Sequence, residues 1–367
     1  MDWLKLRTMF WMKKLFGRTE TVENSESFLY LQAIGRITGK GLNMKYQYVI
    51  IQAQEDYYKV MTQQTVKRKD AVVLNMLMDS KSKLVNKYMM KIYNHLPVTN
   101  MQKWFLPLMF HRDMPSDKPV CFIFMGRYTG EVKDFLGEYL RRKYPGCKIV
   151  CRFEDIIEKM AYENFYEYKD HFDMLLTFDE LDAQKYHIPY YPSWYDECEV
   201  LDEDGIEETD VLFVGKAKDR LPEIIEAYEK LAGAGLKCKF YLVEVPEEDK
   251  VYRDQIEYGE YMPYLKVLQY VKKTKCILEI LQKETESETL RVFEAIFFDK
   301  KLITSNKNIQ NRGYYDPQKI LCYEKIEELD PAFVNSGTDI TYDDKFREQF
   351  KPYNMLNFID KYLSEMN

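Results

Sequence analysis

"DVLFVGKAKDRLPEIIEAYEKLAGAGLKCKFYLV", residues 210–243, is where the fold becomes legible. "DVLFV" is a short apolar run of the kind a buried parallel strand requires, and "KAKDR" is a basic loop behind it. "LPEIIEAYEKLAGAG" has its apolar residues at helical spacing, Pro222 near its start and glycines at its close, the usual asymmetry of helix ends. "LKCKFYLV" is a strand again. Strand, helix and strand in this order define a βαβ unit, so the second strand lies parallel to the first.

The pattern continues on both sides. Downstream, "PYLKVLQYVKKTK" predicts a helix and "CILEIL" a strand. The stretch 283–304, "KETESETLRVFEAIFFDKKLIT", predicts a helix leading into a strand, and "KILCYE" predicts one strand more. Upstream, "YQYVIIQA", "AVVLNML", "KPVCFIFMGR", "CKIVCRF" and "FDMLLTFD" are apolar runs, with "EVKDFLGEYLRRKYPG" a helix among them and a Tyr- and Met-rich helical stretch after the second run. The expectation is an α/β protein of two Rossmann-like domains facing a cleft. Its parts are an N-terminal extension 1–43, an acceptor-side domain 44–192, a linker 193–209, a donor domain 210–345 and a C-terminal helix 346–367 returning to the first domain, with Phe358, Ile359 and Leu363 buried. A chain of 367 residues is long enough for two cores.

Composition excludes several classes of function. A net charge of −7 argues against general nucleic-acid binding, which needs a basic face. Seven cysteines with no CxxC pair suit a reduced, cytoplasmic chain. The four histidines form no ligand pattern, so no metal is expected. No run approaches the roughly 20 apolar residues of a membrane span. The N-terminal "MDWLKLRTMFWMKKLFGR" mixes Trp3, Leu4 and Phe10 with Lys5, Arg7 and Lys13, which suits peripheral contact with a membrane surface. The other reading is an upstream extension, with folded protein starting at Met44.

No GxGxxG turn follows the first strand of either half, which argues against a dinucleotide-dependent dehydrogenase, and "GRITGKGL" lacks the spacing of a P-loop. What remains is Lys216, Lys218 and Arg220 between a strand and a helix N-terminus. Free N–H groups and cations there suit a diphosphate; taken alone, the three residues are read more simply as solvated surface charge.

The order of "DVLFVGKAKDRLPEIIEAYEKLAGAG", "CILEILQKETESETLRVFEAIFFDKKLIT" and "YYDPQKILCY", with "KPVCFIFMGR" and "FDMLLTFDELDAQKYHIPYYP" before them, resembles GT-B glycosyltransferases of the bacterial lipopolysaccharide core biosynthesis type, over residues 44–325. The resemblance implies a metal-independent, cofactor-free transfer of a sugar from a nucleotide-diphosphate donor to a hydroxyl of a lipopolysaccharide or capsular glycan, beside the inner membrane. Glu286 and Glu294 match the E-x7-E signature of many such enzymes. Glu286 would face the donor sugar and Glu294 the ribose diol, with Thr289 and Arg291 beside them and Lys216 and Arg220 on the diphosphate. Asp179, after a first-half strand, would face the cleft as a second catalytic candidate, and an N-cap explains it too. Asp182 lies next to it, and His111 and His187 are weaker candidates for a base.

Other features carry structural readings. Thr285 with Glu288 forms a capping-box pattern. Asp202, Glu203 and Asp204 imitate a DxD metal motif inside the linker. The alternatives are a GT-B-like glycan-binding or scaffold protein without turnover, and a phosphorylase of the same architecture, which would need a pyridoxal-binding lysine.

Overall fold

The computed structural model describes residues 44–52, 56–74, 117–126, 134–160, 169–199, 205–282, 287–337 and 340–365, all within one compact unit, Leu42–Asn367. The N-terminal extension, the Tyr- and Met-rich stretch, His111, Thr285, Glu286 and residues 202–204 lie outside the described residues.

The first half is a parallel sheet of β1 (Gln47–Ile51), β2 (Ala71–Leu74), β3 (Val120–Met125), β4 (Lys148–Arg152) and β5 (Met174–Leu176), in the order β2-β1-β3-β4-β5. Every side chain of β3 is buried, as its unbroken apolar run requires of a strand covered on both faces. Helix α1 (Asp56–Met61) follows β1, α2 (Asp134–Lys143) follows β3, and α3 (Glu180–Tyr186) follows β5.

The second half comprises β6 (Thr209–Lys216), β7 (Cys238–Val243), β8 (Ile256–Gly259), β9 (Thr274–Glu279), β10 (Lys301–Thr304) and β11 (Ile320–Cys322), all parallel, in the order β11-β10-β9-β6-β7-β8. Numbered within this half alone, the order is 3-2-1-4-5-6 from the β8 edge, that of a doubly wound dinucleotide fold. The interleaved helices are α4 (Leu221–Gly233), α5 (Tyr264–Lys273) and α6 (Leu290–Phe297). In α4, Ile224, Ala227, Tyr228 and Leu231 form the buried stripe, and Gly235, at φ +81°, turns the chain out of the helix toward β7. The expected α/β fold with two Rossmann-like halves is the one found.

Three details differ from the sequence expectation. Strand β8 is not foreshadowed, because of its four residues only Ile256 is buried. Helix α6 begins at Leu290, not near Thr285: Thr289 is its N-cap, accepting from the Arg291 N–H. Glu288 precedes that cap, so it plays no part in a capping box. The segment expected to be a linker, 193–209, carries Trp194 and Tyr195 near its start, both fully buried. Tyr195 packs on Phe297 with ring centres 4.8 Å apart, so an aromatic wedge rather than a tether joins the halves.

After β11 the chain forms α7 (Asp344–Phe350) and α8 (Pro352–Glu365), and α8 lies on the first half. Asp360 accepts from the Lys45 N–H at 2.9 Å and from the Tyr48 hydroxyl at 2.8 Å. Phe358 packs against Tyr191, and Ile359 and Leu363 are buried with it.

Two outcomes follow. Ile359→Ala removes a fully buried side chain and should cost about 2–5 kcal/mol in urea denaturation; a loss of less than about 1 kcal/mol would mean α8 is not docked. Asp196, whose oxygens accept from the Gln64 and Glu197 N–H groups, is pushed by burial up to about 6 despite those bonds. The folded state then holds this proton more tightly than the unfolded one. Stability from this group is present below its unfolded value of about 4 and lost as pH rises to about 6. The stability of Asp196→Asn relative to wild type should therefore grow by about 2–3 kcal/mol between these pH values. A difference that does not vary with pH would contradict this.

Candidate functional site

The carboxyl edges of the two sheets face each other, because loops leaving those edges bond across the gap. Asp56, opening α1 after β1, accepts from the Tyr261 hydroxyl and from the Tyr264 N–H at the start of α5, after β8. Asp179, beyond β5, accepts from the Ser287 hydroxyl, beyond β9. Glu180 pairs with Arg312 at 2.6 Å. The cleft is thus lined by the ends of parallel strands and the helices that follow them, where open α/β sheets bind ligands.

In the second half the strand order reverses between β6 and β9. The loop 216–220 leaves β6 there and is shaped by Arg220, which donates to the carbonyls of Lys216 and Ala217 on its own loop and of Ile280 beyond β9. Burial lowers its affinity for the proton, and the carboxylates of Asp219 and Glu223 oppose that. Lys218, at φ +47°, donates to Gln282 Oε1 at 2.9 Å. Lys216 is half-exposed and pairs with Glu244. Of the three cations, Arg220 organises the crevice, and Lys216 is held beside it by its pair with Glu244.

A cavity of about 570 Å³ opens at the carboxyl ends of β6, β7 and β8, lined by Lys216, Glu244, Lys250, Tyr258, Gly259 and Tyr261 among others. That volume suits a small-molecule ligand. Tyr241 donates to the Glu260 carbonyl at 2.9 Å, and its ring occupies the space a side chain on Gly259 would need.

The end of β9 carries a group that sequence reasoning missed. Glu279 is fully enclosed and accepts from the Thr289 and Thr304 hydroxyls. Burial pushes its carboxyl up, and the two hydroxyls offset part of this. The sequence signal was a lone glutamate inside the otherwise apolar "CILEIL". Thr289 thereby serves as cap of α6 and as partner of the buried acid.

One turn further, Glu294 is fully buried, with Oε1 accepting from the Tyr264 hydroxyl at 2.9 Å and Oε2 from Arg291. Tyr264 in turn bonds Tyr195 at 3.1 Å. Both oxygens of Glu294 are committed inside the protein, so what it contributes to the site is the position of Arg291 and of α5.

Asp179 is the N-cap of α3, with Oδ1 accepting from the Asp182 N–H at 2.8 Å and Oδ2 from Ser287, next in the chain to Glu286. Asp182 accepts from the Ile157 N–H at 2.8 Å, and His187 ends α3 in the left-handed region at φ +54°. Glu288 accepts from the Tyr314 hydroxyl at 3.1 Å and pairs with Arg312. Arg312 therefore ties two carboxylates, one from each half. Among the described residues, no group of three His, Cys, Asp or Glu side chains is placed to hold a metal ion, and no helix is long and apolar enough to cross a membrane.

No family model matches the chain, and no curated protein does either. Solved structures similar in chain course include a sucrose-phosphate synthase from Thermosynechococcus elongatus, at 11% identity, covering 88% of this chain and 98% of that one with a TM-score of 0.46. A UDP-GlcNAc 2-epimerase from Methanocaldococcus jannaschii, in complex with UDP-GlcNAc and UDP, is 12% identical over 85% of this chain and 99% of its own, with a TM-score of 0.46. The T4 phage beta-glucosyltransferase is 14% identical over 87% and 96%, with a TM-score of 0.42. Identities this low do not bear on activity.

The floor of the cavity is testable. Gly259→Ala would place a methyl group 2.1 Å from the Tyr241 oxygen and 2.7 Å from Cζ, so the ring must leave. The variant should lose about 1–3 kcal/mol in thermal or urea unfolding, and adding Tyr241→Ala should recover most of that cost. Strictly additive costs would contradict the contact.

Proposed function

We propose that the chain is a GT-B glycosyltransferase that moves a sugar from a nucleotide-diphosphate donor to a hydroxyl of a lipopolysaccharide or capsular glycan. The observation that carries this reading is the cavity at the ends of β6, β7 and β8, with Lys216 at its mouth beside the Arg220 loop. A nucleoside fits among Tyr258, Gly259 and Tyr261, and the diphosphate is directed toward the β6–β9 crevice. Lys216 then exchanges Glu244 for phosphate. That step costs little, because an ion pair between half-exposed groups contributes about 0–1 kcal/mol.

Breaking the sugar–phosphate bond leaves negative charge on the diphosphate, and fixed cations stabilise it without a metal. Lys216 supplies that charge directly, whereas Arg220 holds the loop and adds its field. Thr289 and Arg291 hold the entrance of α6, and Glu294 keeps Arg291 in place. In this reading Glu286 faces the donor sugar, and Asp179 fixes the neighbouring Ser287. The first half takes the acceptor, and the basic, aromatic N-terminal segment keeps the enzyme beside the inner membrane where that acceptor is made.

The test is calorimetry of the full chain with UDP, GDP, CDP, dTDP and ADP, with and without magnesium. One nucleotide should bind independently of the metal, and Lys216→Ala and Arg220→Ala should each weaken it about tenfold or more, the worth of a charge-assisted contact. Binding by none of the five, or binding indifferent to Lys216→Ala, would overturn the donor site and favour a scaffold role.

A further inference from the structure

The loops that follow β6, β7 and β8 wall the 570 Å³ cavity, and they are fastened to one another and to the first half. The Tyr258 hydroxyl accepts from the Val251 N–H at 3.2 Å and donates to the Val251 carbonyl at 2.7 Å, which ties the loop after β7 to β8. Tyr261 lines the cavity with 61% of its surface exposed, and its hydroxyl is anchored on Asp56 of the first half. A fixed, open aromatic ring is a stacking platform that any base can use.

Polar groups choose between bases. Glu244 directly follows β7 and has φ +59°, in the left-handed region that a residue with a Cβ enters at a cost. Its carboxylate lines the cavity and pairs with Lys216 at 2.5 Å. Glu247, on the same loop, is already held by Lys250 and Arg253. When Lys216 turns to the phosphates of an arriving donor, Glu244 loses its cation beside the base. A carboxylate only accepts hydrogen bonds, and it is best matched by two N–H donors side by side.

We propose that Glu244 reads the donor's base and selects guanine, so that the donor is a GDP-sugar; this rests on the transferase reading above. The guanine N1–H and N2 amino group each donate to one Glu244 oxygen, and O6 faces the Lys250 ammonium, which lines the same cavity. Uracil and thymine place a single N–H between two carbonyls. Adenine and cytosine place an amino group beside a ring nitrogen with a lone pair. Each of these four leaves a Glu244 oxygen against an acceptor, which a carboxylate cannot satisfy. Lys216 and Glu244 thus part to take the two ends of one ligand, the cation its phosphates and the carboxylate its base.

The test is calorimetry of the full chain with GDP, UDP, CDP, ADP and dTDP, and with two analogues of GDP. Inosine diphosphate lacks the N2 amino group, and xanthosine diphosphate carries a carbonyl in its place. GDP should bind most tightly, exceeding inosine diphosphate about tenfold or more for the loss of one charge-assisted hydrogen bond. Glu244→Gln exchanges one acceptor for a donor, so its GDP affinity should fall about tenfold or more. The same variant should bind xanthosine diphosphate more tightly than wild type does, because N1–H and the adjacent carbonyl match an amide. A purely structural role for Glu244 predicts no such gain.

Tightest binding of another nucleotide, equal affinities for GDP and inosine diphosphate, or undiminished GDP binding in Glu244→Gln would overturn the selection of guanine by Glu244. The donor site stands in those cases if Lys216→Ala still weakens whichever nucleotide binds. Binding by none of the nucleotides would overturn both. Should Glu244→Gln not fold, Glu244→Ala decides instead, since it should bind GDP and inosine diphosphate alike.

Discussion

The structure depends on the opposition of two sheet edges. Parallel strands end with their following helices starting on the same side, so each carboxyl edge gathers free helix N–H groups and partial positive charge. Two such edges placed face to face need anions between them. The chain supplies Asp56, which takes the Tyr264 N–H at the start of α5 from across the gap, and Asp179, which caps its own α3 and takes Ser287 from the other half. Each carboxylate does the work of a helix cap and of a clasp. The aromatic wedge of Trp194 and Tyr195, with Tyr195 bonded to the same Tyr264, and the returning α8 add to this hold.

The remaining charge follows from that frame. Cations that must stay fixed are anchored by backbone carbonyls, as with Arg220 and Arg152, both of which present a planar fork to two or more acceptors. Cations free to change partner are lysines on half-exposed stems, as with Lys216. Buried carboxylates are held as firmly: Glu279 and Glu294 have every oxygen bonded and shape α6, and Glu154 is tied to the buried Arg152.

Ten strands were legible in the sequence because each is an apolar run bounded by Pro, Gly or charge, and the absence of dinucleotide glycines was equally plain. Strand β8 was hidden because it buries a single residue, Ile256. The start of α6 was misplaced because Thr285 and Glu288 have the spacing of a cap, while the choice of Thr289 is made by Glu279 from a neighbouring strand. Local pattern cannot record that contact. The same holds for Glu154, whose orientation comes from Arg152, and for Trp194 and Tyr195, whose place beside an acidic stretch disguised a buried wedge.

The most direct test of a site shared by two facing edges is amide hydrogen exchange, followed by mass spectrometry, on the full chain with and without a saturating mixture of UDP-glucose, UDP-N-acetylglucosamine and GDP-mannose. The account predicts slower exchange in two separate regions at once: residues 216–222 and 242–261 at the donor edge, and residues 56–62 and 152–157 at the acceptor edge. Protection absent from both, or confined to surfaces away from the strands' carboxyl ends, would contradict it.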